Sequence, residues 1–149
     1  MKRSILLIAM FFFICALKAQ VILNDGYYFK DGNLFTGIHE YFDEESQMLV
    51  KLSVRNGLPD GITQVFKDDN LVEKRAFRKG SKHGVWEKFE NGKKVSEAAY
   101  NRDKKHGKWY IWHPNGILIY EMNYKKGKKT GLWKMWDENG VLISERKFN

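Results

Sequence analysis

Five glycines, Gly37, Gly61, Gly84, Gly107 and Gly131, stand 24, 23, 23 and 24 residues apart, and each opens a copy of one short pattern. A supersecondary unit repeated at such a period cannot bury its apolar side alone, so its copies must stack on one another. Five positions after each glycine comes an aromatic residue: Phe42, Phe66, Phe89, Trp112 and Trp136. Two positions after the last three glycines comes a tryptophan: Trp86, Trp109 and Trp133. Later in each unit an aliphatic column (Leu49, Val72, Val95, Ile119, Ile143) is followed by Val54, Phe77, Tyr100, Tyr124 and Phe148. The stretch HGKWYIWHPNG, with its rings and imidazoles, looks like a catalytic pocket until its copies are aligned. A catalytic site is asymmetric and is built once, so a pattern built nearly five times is mostly architecture.

Within a unit, two segments rich in Trp, Tyr, Phe, Val and Ile flank a turn signal, which is the composition of paired strands. Asn91-Gly92, Asn115-Gly116 and Asn139-Gly140 are Asn-Gly pairs, suited to the positive φ that a type I′ turn needs at both central positions. The first two units replace them with Glu44-Glu45-Ser46 and Asp68-Asp69-Asn70. A second connection, containing Asn56-Gly57, Lys79-Gly80 or Lys126-Gly127, passes to the next hairpin. No helical apolar period follows the first residues. The expected fold is therefore all-β: an antiparallel β-meander of tandem 23–24-residue hairpin repeats forming an elongated single sheet, preceded by a signal peptide. A residue and its copy should lie roughly 9–10 Å apart, aligning the aromatics as ladders. Offsets two and five after the glycine have opposite parity. Either a bulge re-aims one column or both faces carry apolar stripes.

MKRSILLIAMFFFICALKAQ reads as a secretory signal: Lys2 and Arg3 precede an uncharged apolar run from Ile5 to Leu17, and Ala19-Gln20 offers a small residue for cleavage. The run falls short of the ~20 apolar residues of a spanning helix. Cys15 raises a lipid-anchored alternative, but Ile14 stands where a lipobox takes a small residue. The expected organisation is a signal peptide over 1–19, an N-terminal strand or half-repeat over 20–36, and repeats over 37–60, 61–83, 84–106, 107–130 and 131–149. The chain has 26 Lys+Arg and 18 Asp+Glu; losing Lys2, Arg3 and Lys18 leaves 23 against 18, a net charge of +5. Such a mild excess does not argue for nucleic acid, which an exported protein would seldom meet.

The order G-x-W-x-x-aromatic, then Asn-Gly, then a Lys-Gly connection resembles the MORN-repeat variant family, above all the bacterial chains grouped as the YwqK family of antitoxin-like proteins. The resemblance covers Gly37 to Asn149, with YYFKDGNLFT (27–36) similar to an incoming half-unit, and it is stronger in the last three units than in the first two. It implies a non-catalytic, elongated β-repeat scaffold that contacts proteins or membrane surfaces. The antitoxin role it also implies sits awkwardly with an export signal.

His83 and His106 occupy the same repeat position, too far apart to share a metal whose ligands lie about 2 Å from it, and His39 and His113 fall in other columns. Glu97, Glu121 and Glu145 recur in one column, with Lys51 and Lys74 in the earlier copies. Equivalent surroundings do not differentiate the acid from the base that glycan hydrolysis requires, so the column reads as a solvated charged face. No nucleophile elbow, phosphate-cradling loop or dinucleotide fingerprint is present, and neither enzyme chemistry, cofactor nor small-molecule substrate is expected.

The connections carry the remaining signal. Lys79 and Lys82, Lys104 and Lys105, and Lys125, Lys126, Lys128 and Lys129 should line one margin as an outward-facing row of positive charge. Such a row suits an anionic envelope or membrane surface or an acidic protein partner. It equally suits solubility at exposed turns. The expected function is an exported, non-enzymatic scaffold in the periplasm or outside the cell, with an antitoxin or immunity protein and an envelope glycan hydrolase as alternatives.

Overall fold

A computed structural model describes residues 20–149; the expected signal peptide, with Cys15, lies outside the described residues. Sixteen strands follow in order: β1 (Ile22–Asn24), β2 (Tyr27–Lys30), β3 (Asn33–Leu34), β4 (Gly37–Asp43), β5 (Met48–Arg55), β6 (Leu58–Pro59), β7 (Gly61–Lys67) and β8 (Asn70–Arg78), then β9 (Ser81–Lys82), β10 (Gly84–Glu90), β11 (Lys93–Asn101), β12 (Lys104–Trp112), β13 (Leu118–Lys125), β14 (Lys128–Lys129), β15 (Gly131–Trp136) and β16 (Leu142–Phe148). No helix occurs among the described residues. The long strands form one open antiparallel meander in the order β16-β15-β13-β12-β11-β10-β8-β7-β5-β4, and the short β6, β9 and β14 pair back onto β5, β8 and β13. Residues 27–34 form a hairpin, but it joins β1 in a separate three-stranded sheet instead of extending the large one.

The turns divide into two kinds. Asn91-Gly92 has positive φ at both residues, the type I′ pattern. At Asn115-Gly116 and Asn139-Gly140 only the glycine does, which corrects the expected I′ turns there. Pro114 is the reason in the first case: its fixed φ starts a type I turn one residue early, closed by the Gly116 N–H donating to His113 O at 2.7 Å. In the second case the Asp137 carboxylate accepts from the N–H groups of Asn139 (2.9 Å) and Val141 (2.8 Å), an Asx arrangement that favours the same geometry.

The repeat glycine marks a jump in register. Phe77 faces Lys82, but three residues back Lys74 faces Glu87, so three residues of β8 oppose five on the partner side. The same offset separates Val54↔Pro59 from Lys51↔Gln64 and Tyr124↔Lys129 from Glu121↔Lys134. At this looped-out point Gly84 adopts φ +86, and a Cβ there would lie 3.2 Å from the Ala76 Cβ. Glycine therefore supplies both the backbone conformation and the room. The Ala76 carbonyl beside the loop accepts from the His83 N–H at 3.0 Å and the Trp86 indole N–H at 2.9 Å. Trp109 and Trp133 donate equivalently to the carbonyls of Ala99 and Asn123. The G-x-W motif thus couples a looped-out glycine to the side chain that satisfies the neighbouring carbonyl.

Both faces carry apolar stripes. β10 runs regularly, so Trp86 and Phe89 lie on opposite faces; the bulge falls on the return strand, where Val95 is the extra residue between Lys94, facing Phe89, and Ser96, facing Lys88. On one face Phe77, Trp86, Tyr100, Trp109, Tyr124, Trp133 and Phe148 interleave into a single column of tilted and edge-on rings with centroids 5.1–5.3 Å apart. In the first two units Val50, Leu52, Val54 and Val65 form a buried cluster instead, with Tyr28 and Phe35 packed against it. β2 is tied down by the Tyr28 N–H donating to Gly57 O and the Gly57 N–H donating to Phe35 O, each 2.8 Å. Together β1–β3 act as a cap over one end of the sheet.

Candidate functional site

The margin that carries the inter-unit connections is built from turns laid one on another. The Gly57 N–H donates to Phe35 O, Gly80 to Pro59 O, Asp103 to Lys82 O and Gly127 to Lys105 O, at 2.8–3.0 Å. Side chains reinforce the stack: the Asp103 carboxylate accepts from the Lys82 N–H at 2.8 Å, and the Asp60 carboxylate from the Lys79 N–H at 3.3 Å. The Lys82 N–H and then the Ser81 hydroxyl hold the Asp103 carboxyl below the usual carboxylate range. Arg102-Asp103, which carries no glycine or asparagine to announce it, is a two-residue turn with φ of 49° and 64°.

The expected lysines split into three groups. Lys79, Lys104 and Lys126 line a hollow of about 940 Å³ together with Arg78, Ser81, His83, Asn101 and Arg102, and no acidic side chain is among these lining residues. Arg78 and Arg102 belong to the same basic connections and add two guanidinium groups to the lysines. Lys82, Lys105 and Lys129 reach back over the ring column, the first two half-buried and Lys129 still exposed. Their ammonium groups sit over Trp86, Trp109 and Trp133 at 4.6, 4.4 and 4.5 Å from the ring centroids, and each also lies over the next ring of the column. The cause is strand alternation: each stands next to the residue before the repeat glycine, on the face that carries the rings. Lys125 and Lys128 are exposed and directly opposite each other across a two-residue turn.

The glutamate column ends in ion pairs: Glu97 with Lys94, Glu121 with Lys108 and Glu145 with Lys134, while Lys51 pairs with Glu40. Hydrogen bonding to Glu97 holds the Lys94 ammonium above its ordinary pKa. His39 lies between Tyr28 and Tyr41, and burial lowers its pKa. Among the described residues no group of three or more His, Cys, Asp or Glu side chains is placed to hold a metal ion. The face opposite the ring column shows Ile38, Ile62, Val85 and Leu132, one after each repeat glycine except in the fourth unit, where Lys108 stands.

An open single-layer repeat sheet with stacked connections is the class of protein these features define. Residues 105–126 and 129–149 match the MORN repeat variant family. Both matched stretches carry the ring column and the indole–carbonyl bonds, and the unit at 84–106 repeats the same plan. No curated protein matches the chain.

Proposed function

We propose that the protein is an exported, non-catalytic scaffold whose connection margin docks on an anionic envelope or membrane surface. The observation that carries this reading is the hollow lined by Arg78, Lys79, Arg102, Lys104 and Lys126 without an opposing carboxylate in its lining. Three units contribute to it, so positive charge accumulates by repetition, which is the arrangement that attracts a broad negative surface. The similarity to MORN repeats, whose general role is contact with proteins and membranes, agrees with it. The signal-like sequence of residues 1–19 supports an envelope location. The antitoxin or immunity role implied by the YwqK resemblance is the competing reading, and a toxin encoded beside this chain would favour it.

Co-sedimentation is the test. The protein should pellet with phosphatidylcholine vesicles containing phosphatidylglycerol and not with phosphatidylcholine alone. Binding should fade as salt rises, since exposed charges are screened beyond about 8 Å at physiological ionic strength. Lys104→Glu with Lys126→Glu should abolish it without unfolding the sheet, as both side chains are exposed. Lys105 is unsuitable for this purpose because it covers two rings. Binding that ignores both salt and the reversals would shift the contact to the apolar face and overturn the proposal.

A further inference from the structure

The backbone of the hollow points to something narrower than a basic surface. Among the described residues eight two-residue turns have positive φ at both positions, and in five of them the first residue is Asp25, Asp31, Asn56, Asp68 or Asn91. Asn and Asp are the side chains that tolerate the left-handed region best after glycine. The other three are Lys79, Arg102 and Lys126, in consecutive connections, and all three line the hollow. Long cations in that conformation are strained, and solubility does not call for it: exposed strand positions such as Lys125 and Lys128 carry charge without positive φ. Among the described residues Gln47, in the first hairpin turn, breaks the same rule once outside the hollow; three breaks in consecutive connections that share one hollow mark a functional site more readily than a solvated face.

We propose that this hollow is a built site for a ligand bearing clustered phosphate groups, a deepening that rests on the anionic-surface reading above. Guanidinium forks at Arg78 and Arg102 match phosphate oxygens in pairs, and Lys79, Lys104 and Lys126 add point charges around them. Consecutive cationic turns are separated by two strands, roughly 9–10 Å, so one phosphate engages a single gap while several linked phosphates span the row. The hydrogen bonds between stacked turns fix the backbone beforehand, so little ordering accompanies binding.

Calorimetric titration of the protein with inorganic tripolyphosphate and with orthophosphate tests the site. Tripolyphosphate should bind at least about tenfold more tightly than orthophosphate. Arg102→Asn should weaken tripolyphosphate by a similar factor while leaving the melting temperature unchanged or higher, because asparagine suits the left-handed turn. Lys67→Gln, an exposed cation at the far margin, should leave binding unaltered. Equal affinity for the two anions, or equal loss in Arg102→Asn and Lys67→Gln, overturns the site. Vesicles of phosphatidylcholine with phosphatidic acid separate the sources. Release from them by tripolyphosphate assigns the phosphates to a surface; retention alongside tripolyphosphate binding assigns them to a soluble ligand. Acidic-vesicle binding without tripolyphosphate binding overturns the site alone, and loss of both overturns the surface reading with it.

Discussion

The first two units bury Val50, Leu52, Val54 and Val65 beneath β1–β3, whereas the last three leave the same face to a column of rings roofed by long cations, Lys82, Lys105 and Lys129 with Arg75 and Arg146. Backbone path and register offset are shared, so the difference lies in how a single layer is kept from water. Aliphatic side chains gain from burial and need a second layer above them. Rings packed edge to face gain about 0.5–1.5 kcal/mol per pair beyond their buried area, and an ammonium above them adds about 0.5–1 kcal/mol more while remaining wet. The covered units lack the signature tryptophan, having His39 and Thr63 in its place, and the family match falls on the uncovered ones. A repeat signature of this kind therefore records the unroofed solution, and departures from it mark where the cap has replaced the rings.

Substitutions on either side of that divide should sharpen it. The largest effect is expected at Leu52, only 5% exposed: Leu52→Ala should cost about 2–5 kcal/mol in denaturant unfolding. It should also release the cap, seen as lost amide protection in β1–β3. A loss below about 1 kcal/mol would mean that the cap and cluster do not act together. In the ring column, Trp109→Phe keeps an aromatic but leaves the Ala99 carbonyl without the indole donor. A loss of about 1–2 kcal/mol confined to the last three units is expected, and an unchanged stability would make the indole bond incidental.

Gly116→Val tests a hairpin turn of the uncovered half. Its φ is +94 and nothing lies within 4 Å of an added Cβ, so only backbone strain of roughly 1–2 kcal/mol should appear. A much larger loss would revive the type I′ geometry that the structure replaces. The smallest effect concerns Asp103. Its pKa is depressed by native hydrogen bonds, so its contribution is present above the unfolded value of about 4 and disappears as pH falls through the folded one. Asp103→Asn should therefore melt slightly below the wild type at neutral pH and coincide with it in acid. A gap that persists in acid would detach the turn stack from that carboxylate.

Much of this was legible in the residues. The period located the hairpins, and Asn91-Gly92 announced its own turn, because each is a local preference repeated in step. Arg102-Asp103 was not legible as a turn, since neither residue is glycine or asparagine and its one backbone tie, the Asp103 N–H donating to the Lys82 carbonyl, comes from the neighbouring connection. Nor was the direction of Lys82, Lys105 and Lys129, which depends on counting alternation backward from a loop of unknown size. Pro114 could have been read: a proline before Asn-Gly moves the turn start. The cap was hidden for a different reason. YYFKDGNLFT imitates a half-unit closely, and only the packing of Tyr28 and Phe35 on the buried cluster distinguishes a roof from a continuation.

The indole bonds have an optical consequence. Trp86, Trp109, Trp112, Trp133 and Trp136 all lie after residue 83, and none stands in the covered half. Tyr100 and Tyr124 sit 5.1–5.3 Å from the flanking indoles, close enough to hand their excitation over almost completely. Tryptophan emission, excited beyond the tyrosine band, is thus a signal of the uncovered units and does not report on Val50, Leu52, Val54 and Val65. A fluorescence melt and a far-ultraviolet dichroism melt sample different parts of one chain, and their divergence would measure how independently the two halves come apart.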